Sequence, residues 1–292
     1  MNPMTRRTFI STTSAACAAP WLGAEEKTAP SAAGAAGLDF SLVDFHVHLD
    51  HSTIDAALAL PQARNIKFGI VEHAGTRENV YPVVLSNDEE LKRQLDMLAG
   101  KPVFRGVQAE WSDWWSGFST AALAQLDYTL TDAMTFPGKD GRRKKLWEPD
   151  VESFVDMTDK EAFMDRFVDW HVKILSEQPI DILANTSWLP KPLADGYDSF
   201  WTPARVRKVA DAAVQHRVAL EISSSYKLPK LPFLKIAKAA GVKFSFGSNG
   251  RYPKMGLLDY SISMAKELGL TRADMFMPAP EGQKAVQRWK RA

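Results

Sequence analysis

Short runs of apolar and β-branched residues recur along the body of this chain, and a stretch of helical periodicity follows each of them. Seven such runs stand out, at 41–47, 67–72, 103–109, 128–134, 180–184, 218–222 and 243–246. The amphipathic stretches behind them fall at 54–64, 88–98, 120–125, 160–177, 203–216, 231–240 and 256–268. Continuous apolar strands alternating with amphipathic helices predict a parallel sheet covered by helices. Seven repeats without a break in composition predict one closed domain over 38–292, a distorted seven-stranded (β/α)7 TIM-like barrel. The glycine-rich phosphate fingerprint of a doubly wound dinucleotide domain is missing. A last helix over roughly 281–290 is expected to cap the barrel.

One excursion interrupts the alternation. After the fourth strand the chain reads Thr135-Phe136-Pro137-Gly138-Lys139-Asp140-Gly141-Arg142-Arg143-Lys144-Lys145. Asp140-Gly141 is a hairpin-turn signal. The four basic residues that follow, Arg142 among them, sit on a loop in this reading, either solvated or as a cationic flap for an anionic substrate.

In barrels of this kind chemistry collects at the C-terminal ends of the strands. Here the first strand ends in Asp44-Phe45-His46-Val47-His48. Side chains at i and i+2 of a strand share a side, so His46 and His48 converge, with Asp44 on the same side one step back. Converging imidazoles make half of a transition-metal site. The later strands end in Glu72-His73, Glu110, Asp132, Asn185, Glu221 and Ser248-Asn249. Glu110 reads as a ligand or an N-cap carboxylate, and His73 as a ligand or a hydrogen-bonding group. Asp132, a carboxylate inside a strand pattern, reads as a ligand or general base, since an unpartnered one there is costly. Asp127 reads as a loop-closing residue and Glu221 as an acceptor for an imidazole N–H. His51 falls off the alternation. His171 and His216 read as a helix-surface residue and a helix C-terminal dipole partner.

In kind and order these motifs resemble the PHP (polymerase and histidinol phosphatase) family over roughly residues 40–250. His46, His48, His73 and Glu110 match its early motifs, Leu126-Asp127-Tyr128 the entry to its fourth strand, and Ile180 to Asn185 its fifth. Ala219-Leu220-Glu221-Ile222 matches its sixth and Phe246-Gly247-Ser248-Asn249 its last. The resemblance implies a seven-stranded β/α barrel, up to three divalent metals and phosphoester hydrolysis. The chain departs from the pattern at Met134 and Asn185, where the family has histidines, and at Asn249-Gly250-Arg251, where it has Asp-x-His. Asparagine is a weaker transition-metal ligand than imidazole or carboxylate. The expectation is therefore a reduced site of one or two ions (Zn, Mn or Fe). His46, His48, Glu110 and Asp132 would be its main ligands, with His73, Asn185 and Asn249 beside them.

Aromatic residues crowd the same rim. Trp111, Trp114 and Trp115 follow Glu110, Trp188 follows Asn185 and Tyr226 follows the sixth strand. Trp111, Trp115, Trp188, Tyr226 and Arg142 form the expected substrate wall, stacking on a sugar-like or aryl group and holding an anion. Asp132 and Glu221 would manage protons, and Lys227 and Arg251 would neutralise developing negative charge. The first functional reading is a metal-dependent hydrolase of an anionic or sugar-like small molecule. A barrel retained as a sugar or anion receptor, and a metal-assisted sugar isomerase or lyase, stay open as alternatives.

Composition bounds the partners. The chain has 292 residues, 45% hydrophobic and 24% charged, with a formal net charge of +1. That is ordinary for a globular protein and leaves no nucleic-acid footprint. No apolar run is long enough to span a membrane. Thr5-Arg6-Arg7-Thr8-Phe9-Ile10 resembles a twin-arginine export signal, followed by a small-residue run and Leu22-Gly23-Ala24. The expectation is a signal at 1–24, a flexible linker at 25–37, and a periplasmic or secreted protein exported in folded form by the twin-arginine machinery. The single cysteine, Cys17, falls inside that signal, where a lipoprotein site is a minor alternative.

Overall fold

The computed structural model describes residues 37–60, 63, 65–76 and 80–289. The signal, Cys17 and all of the linker but Gly37 lie outside the described residues. Seven parallel strands form the barrel: β1 Leu42–His48, β2 Ile66–Ala74, β3 Phe104–Ala109, β4 Tyr128–Thr131, β5 Ile182–Leu183, β6 Ala219–Ser223 and β7 Phe244–Gly247. They pair in chain order, and β1 pairs with both β2 and β7, so the sheet closes. Each of the seven expected strands is present. Val84–Leu85 extends the sheet beside β2, and Gly250–Arg251 beside β1.

Four helices fall where the apolar periodicity put them: α1 Asp88–Leu98, α2 Lys160–Glu177, α3 Pro203–His216 and α4 Leu231–Ala240. Side-chain caps fix their starts, since Asn87, Asp159 and Thr202 accept from the third backbone N–H of α1, α2 and α3. A fifth, α5, runs Asp259–Leu268, and a four-residue helix at Ala285–Arg288 stands near the expected C-terminal cap. The helix after β1 covers Ile54–Leu58 and is capped at Ala59, and residues 61, 62 and 64 of the expected 54–64 lie outside the described residues. β4 stops early because the Asp132 carboxylate accepts the Met134 N–H at 2.9 Å, turning the chain away from the sheet. No helix among the described residues is long and apolar enough to cross a membrane.

The barrel interior is filled by Val43, Phe45, Val71, Tyr128, Leu130, Ile182, Ala184 and Ala219. Tyr128 spans it and donates to the Phe45 carbonyl at 2.6 Å. Its ring passes over Gly69, where a Cβ would stand 2.3 Å from the Tyr128 oxygen. A larger apolar layer, including Phe68, Ile70, Leu220, Phe244 and Phe246, lies between the strands and the helices.

β1 carries an irregularity that sets the site. Asp44 is paired with Phe68, but Val47 is paired with Ile70, so three steps on β1 match two on β2. The extra residue is a β-bulge. Below it Val43 and Phe45 face the interior, and above it His46 and His48 do. Asp44 is thereby placed with its neighbours Phe68 and Phe246 on the outer side. The expectation that Asp44 shares a side with the histidines fails for this reason, because strict alternation does not survive a bulge. The Asp44 carboxylate instead accepts from Ser248 N, Ser248 Oγ, Gly256 N and His46 N, tying the loop after β7 to β1.

His171 corrects a second expectation. It is buried in α2 and not on the helix surface. Its Nδ1 donates to the Phe167 carbonyl at 2.7 Å, and its ring packs edge-on to Phe167 and Trp201. Burial pushes its pKa down to about 4, and the Phe167 hydrogen bond resists only in part. The unfolded chain takes up this proton near pH 6.5, while the native state stays neutral until about 4. Stability is therefore lost as pH falls through that window. We predict that the unfolding free energy of the wild type, relative to His171→Gln, drops by roughly 3 kcal/mol between pH 6.5 and 4. A pH-independent difference in denaturant titrations contradicts this.

Candidate metal centre

The bulge delivers His46 and His48 to the rim with ring centroids 5.3 Å apart, both buried. Their nitrogens meet different surroundings. His46 Nδ1 donates to Glu221 on β6 at 3.2 Å, and its Nε2 to Gln108 Oε1 on β3 at 2.9 Å. Gln108 Nε2 donates to Asp132 Oδ2 at 3.4 Å, as does Asn185 Nδ2 at 3.2 Å, and Asn185 N donates to Glu221 Oε2 at 2.9 Å. Five residues from different strand ends thus form a closed circuit. With both ring nitrogens facing oxygen acceptors, the protonated form of His46 is favoured. Burial opposes that charge, but the Glu221 carboxylate and Gln108 outweigh it, and the His46 pKa is raised.

His48 lies beside this circuit, near enough for Gln108 to favour its charged form slightly. Neither of its buried ring nitrogens has a hydrogen-bond partner, and burial beside His73 and His46 pushes its pKa well down. Among the described residues, His48, Asp50 and Glu72 bring one ligand atom each within 4.8 Å of one another. Asp50 Oδ1 and Glu72 Oε2 are likewise buried without partners. The other Glu72 oxygen accepts from Leu49 N at 2.9 Å and Asp50 N at 3.2 Å, which orients the carboxylate. Burial pushes the Glu72 pKa up to about 8.

His73 adds a further unpartnered nitrogen. Its ring stacks on His48 at 4.6 Å and on Tyr81 at 3.6 Å. Its Nδ1 donates to Glu110 Oε1 at 2.7 Å, while Nε2 is buried without a partner. A carboxylate behind one imidazole nitrogen with the other left open is the usual arrangement around a metal-ligating histidine. Burial pushes His73 down to about 3 and Glu110 up to about 8. A buried polar atom without a partner costs about 1–3 kcal/mol, more if charged. Imidazole nitrogen beside carboxylate oxygen suits a borderline divalent ion such as zinc, manganese or iron. The residues present therefore fit such an ion at His48, Asp50 and Glu72, with His73 Nε2 as the next open donor.

Several expected ligands are placed differently. Glu110 stands behind His73, its second oxygen accepting from Tyr81 Oη at 3.4 Å. Asp132, Asn185 and His46 belong to the circuit, and Asn249 Oδ1 accepts from Arg251 Nη1 at 2.9 Å. Of the expected proton and charge carriers, Glu221 is buried behind His46, and Lys227 is exposed and lines neither cavity at the rim. Asp50, Glu72, Gln108, Tyr81 and Trp147 had no assigned role in the sequence reading. Asp50 continues the alternation beyond His48, and Gln108 lies two before Glu110 on its strand. Tyr81 and Trp147 come from loops without periodicity.

Two cavities open beside this centre. The smaller, about 320 Å3, is lined by His73, Tyr81, Gln108, Asp132, Met134, Trp147, Asn185, Tyr226, Asn249 and Arg251. Arg251 Nε is 3.0 Å from Asp50 Oδ2, which joins this cavity to the His48 cluster. The larger, about 870 Å3, is lined by Trp111, Arg142 and the rest of the basic run. Of the expected aromatic wall, only Tyr226 reaches the first and only Trp111 the second. Trp115 packs against Trp114 and Trp289, and Trp188 against the outer apolar layer. Asp50, Trp111, Asn185 and Asn249 all have positive φ just beyond strand ends, at 51°, 73°, 49° and 47°. Such backbone is strained outside glycine and concentrates at functional sites.

No family model matches the chain, and no curated protein matches it. Among solved structures it is similar to a histidinol phosphate phosphatase from Lactococcus lactis subsp. lactis Il1403, determined with zinc, L-histidinol and phosphate. That similarity has a TM-score of 0.58 at 12% identity and covers 79% of this chain and 94% of the other. The likeness is one of fold, a seven-stranded parallel β/α barrel.

Gly247 is the tightest constraint on the His46 circuit. A Cβ there would stand 1.7 Å from Glu221 Oε1 and 2.9 Å from the His46 Cβ. Gly247→Ala is expected to lower stability by about 1–3 kcal/mol through overpacking and to displace Glu221 from His46. Denaturant titration together with the His46 imidazole NMR signals checks this; an unchanged His46 titration in a fully stable variant contradicts it.

Proposed function

We propose that this chain is a metal-dependent hydrolase of phosphoester type acting on an anionic small molecule. The observation that carries this reading is the set of buried, unpartnered polar atoms on His48, Asp50, Glu72 and His73, beside a small polar cavity at the strand ends. When bound, a divalent ion there would polarise the scissile group and lower the pKa of a water. The similarity in fold to a phosphatase determined with zinc and phosphate supports the same class.

The chain's own residues supply the rest. Arg251 lines the cavity, held by Asp50 and by the carbonyl and amide oxygens of Asn249, and would bind the anionic group. Asp132 also lines it, with its carboxylate fixed by Gln108, Asn185 and the Met134 N–H. Burial and the nearby Glu110 push the Asp132 pKa up to about 6, so it would hold or release a proton near neutral pH. Tyr226 and Trp147 would flank the leaving group as aromatic walls. Glu221 acts through His46 as a positioning residue. The expected twin-arginine signal at 1–24 would carry the folded chain out of the cytoplasm, so that this chemistry would operate after export.

His48→Ala and Glu72→Gln should each reduce bound metal, read by elemental analysis of protein purified without chelator, from one or two ions to a small fraction per chain. Hydrolysis of a simple aryl phosphate should fall by about a hundredfold or more in both. Arg251→Ala should instead keep the metal and raise KM. Full activity in the metal-depleted variants contradicts the proposal.

A further inference from the structure

The basic run does not lie on a loose flap. Arg143–Lys145 pair antiparallel with Thr135–Pro137, with Gly141 in the turn at φ +73°. Phe136 roots this hairpin in the outer apolar layer, its ring 5.6–6.0 Å from those of Phe163, Phe167 and Trp170. Trp170 Nε1 donates to the Thr135 carbonyl at 2.9 Å, and Arg143 to Thr76 Oγ1 at 2.6 Å. The cations are thus presented on a fixed arm.

Among the described residues, the 870 Å3 cavity is lined by Arg142, Arg143, Lys144 and Lys145 together with the carboxylates Asp113 and Glu148, and Lys145 and Arg143 also act on Glu110. Lys144 is drawn toward Asp140 at 3.4 Å. Neighbouring like charges at a half-wet surface repel one another, so a run of four cations in a concave site favours an anion. Lys145 joins this cavity to the smaller one. Its Nζ lies 4.3 Å above the ring of Tyr81, which stacks on His73, and 5.3 Å from Trp147. Trp111 adds an indole wall.

We propose that this cavity is a second substrate subsite that takes a dianionic group, phosphate or sulfate, remote from the bond that reacts in the smaller cavity. The substrate is then an extended molecule with two anionic ends, bridged past Lys145. Its place as a substrate subsite rests on the hydrolase reading, whereas the anion site itself stands on the hairpin geometry alone.

The test uses the full chain stripped of metal by chelation, with its fold checked by circular dichroism. Removing the metal takes away its attraction for anions at the centre, and repeating each titration in an Arg251→Ala background removes the anion binder of the smaller cavity, which leaves the hairpin cavity to bind them. Calorimetric titration with inorganic phosphate, and separately with sulfate, should show saturable binding of one anion. Arg142→Glu and Lys144→Glu should each weaken it by at least about tenfold. Lys139→Glu, on the same hairpin but facing a different cavity, should leave it unchanged. No saturable binding of either anion by the wild type, or an equal loss in all three variants, overturns the proposal. Aryl phosphate hydrolysis by the metal-loaded wild type is read separately, so an inactive protein that still binds phosphate at the hairpin sinks the hydrolase reading and leaves the anion site standing.

Discussion

The geometry of the rim depends on one extra residue in β1. Without the bulge between Asp44 and Val47, alternation would carry either Val43 and Phe45 of the barrel interior or the histidine pair of the rim, but not both, to the inside. With it, Phe45 meets Tyr128 edge-on in the core while His46 and His48 reach the centre. The displaced Asp44 is not wasted, because its carboxylate gathers four donors and fastens the loop after β7, from which Asn249 and Arg251 emerge. A local break in pairing thus positions residues from the first and the last strand of the barrel at one rim.

The polar residues then divide into two sets by whether protein partners satisfy them. His46, Gln108, Asp132, Asn185 and Glu221 satisfy one another across five strand ends, and this rigidifies the rim. His48, Asp50, Glu72 and His73 keep atoms that nothing in the protein satisfies. Burial, helped by neighbouring charges, raises Glu72 and lowers His48 and His73, so in the bare protein all three drift toward neutral. A divalent cation reverses that drift for the carboxylate and uses the neutral imidazoles as they are. The first set is built to hold still, and the second to hold something.

The strands and four of the helices were legible because apolar periodicity reports which face of an element is buried, and the barrel buries both faces of every strand. The rim is legible as a location, since so many polar side chains at strand ends must face one another or a ligand. What periodicity could not give was the partner of each side chain. Alternation put Asp44 beside the histidines, and a bulge, invisible to a two-residue period, moved it away. His171 looked like a surface residue because one polar letter in an amphipathic helix carries no sign of burial. Trp115 and Trp188 looked like a binding wall, yet their indoles fill space against Trp289 and the outer layer. Tyr81 and Trp147 reach the cavity from loops, where sequence spacing says nothing about direction.

The central claim is that His48, Asp50 and Glu72, and not the sequence-adjacent pair His46 and His48, hold a divalent ion. Anomalous diffraction at metal absorption edges, from crystals of protein purified without chelator, locates such an ion directly. The account predicts a peak within bonding distance of His48, Asp50 and Glu72, with His46 still donating to Glu221. A peak bonded to His46, Glu110 and Asp132 and away from Glu72, or no peak with His48 bonded to protein atoms, would contradict it.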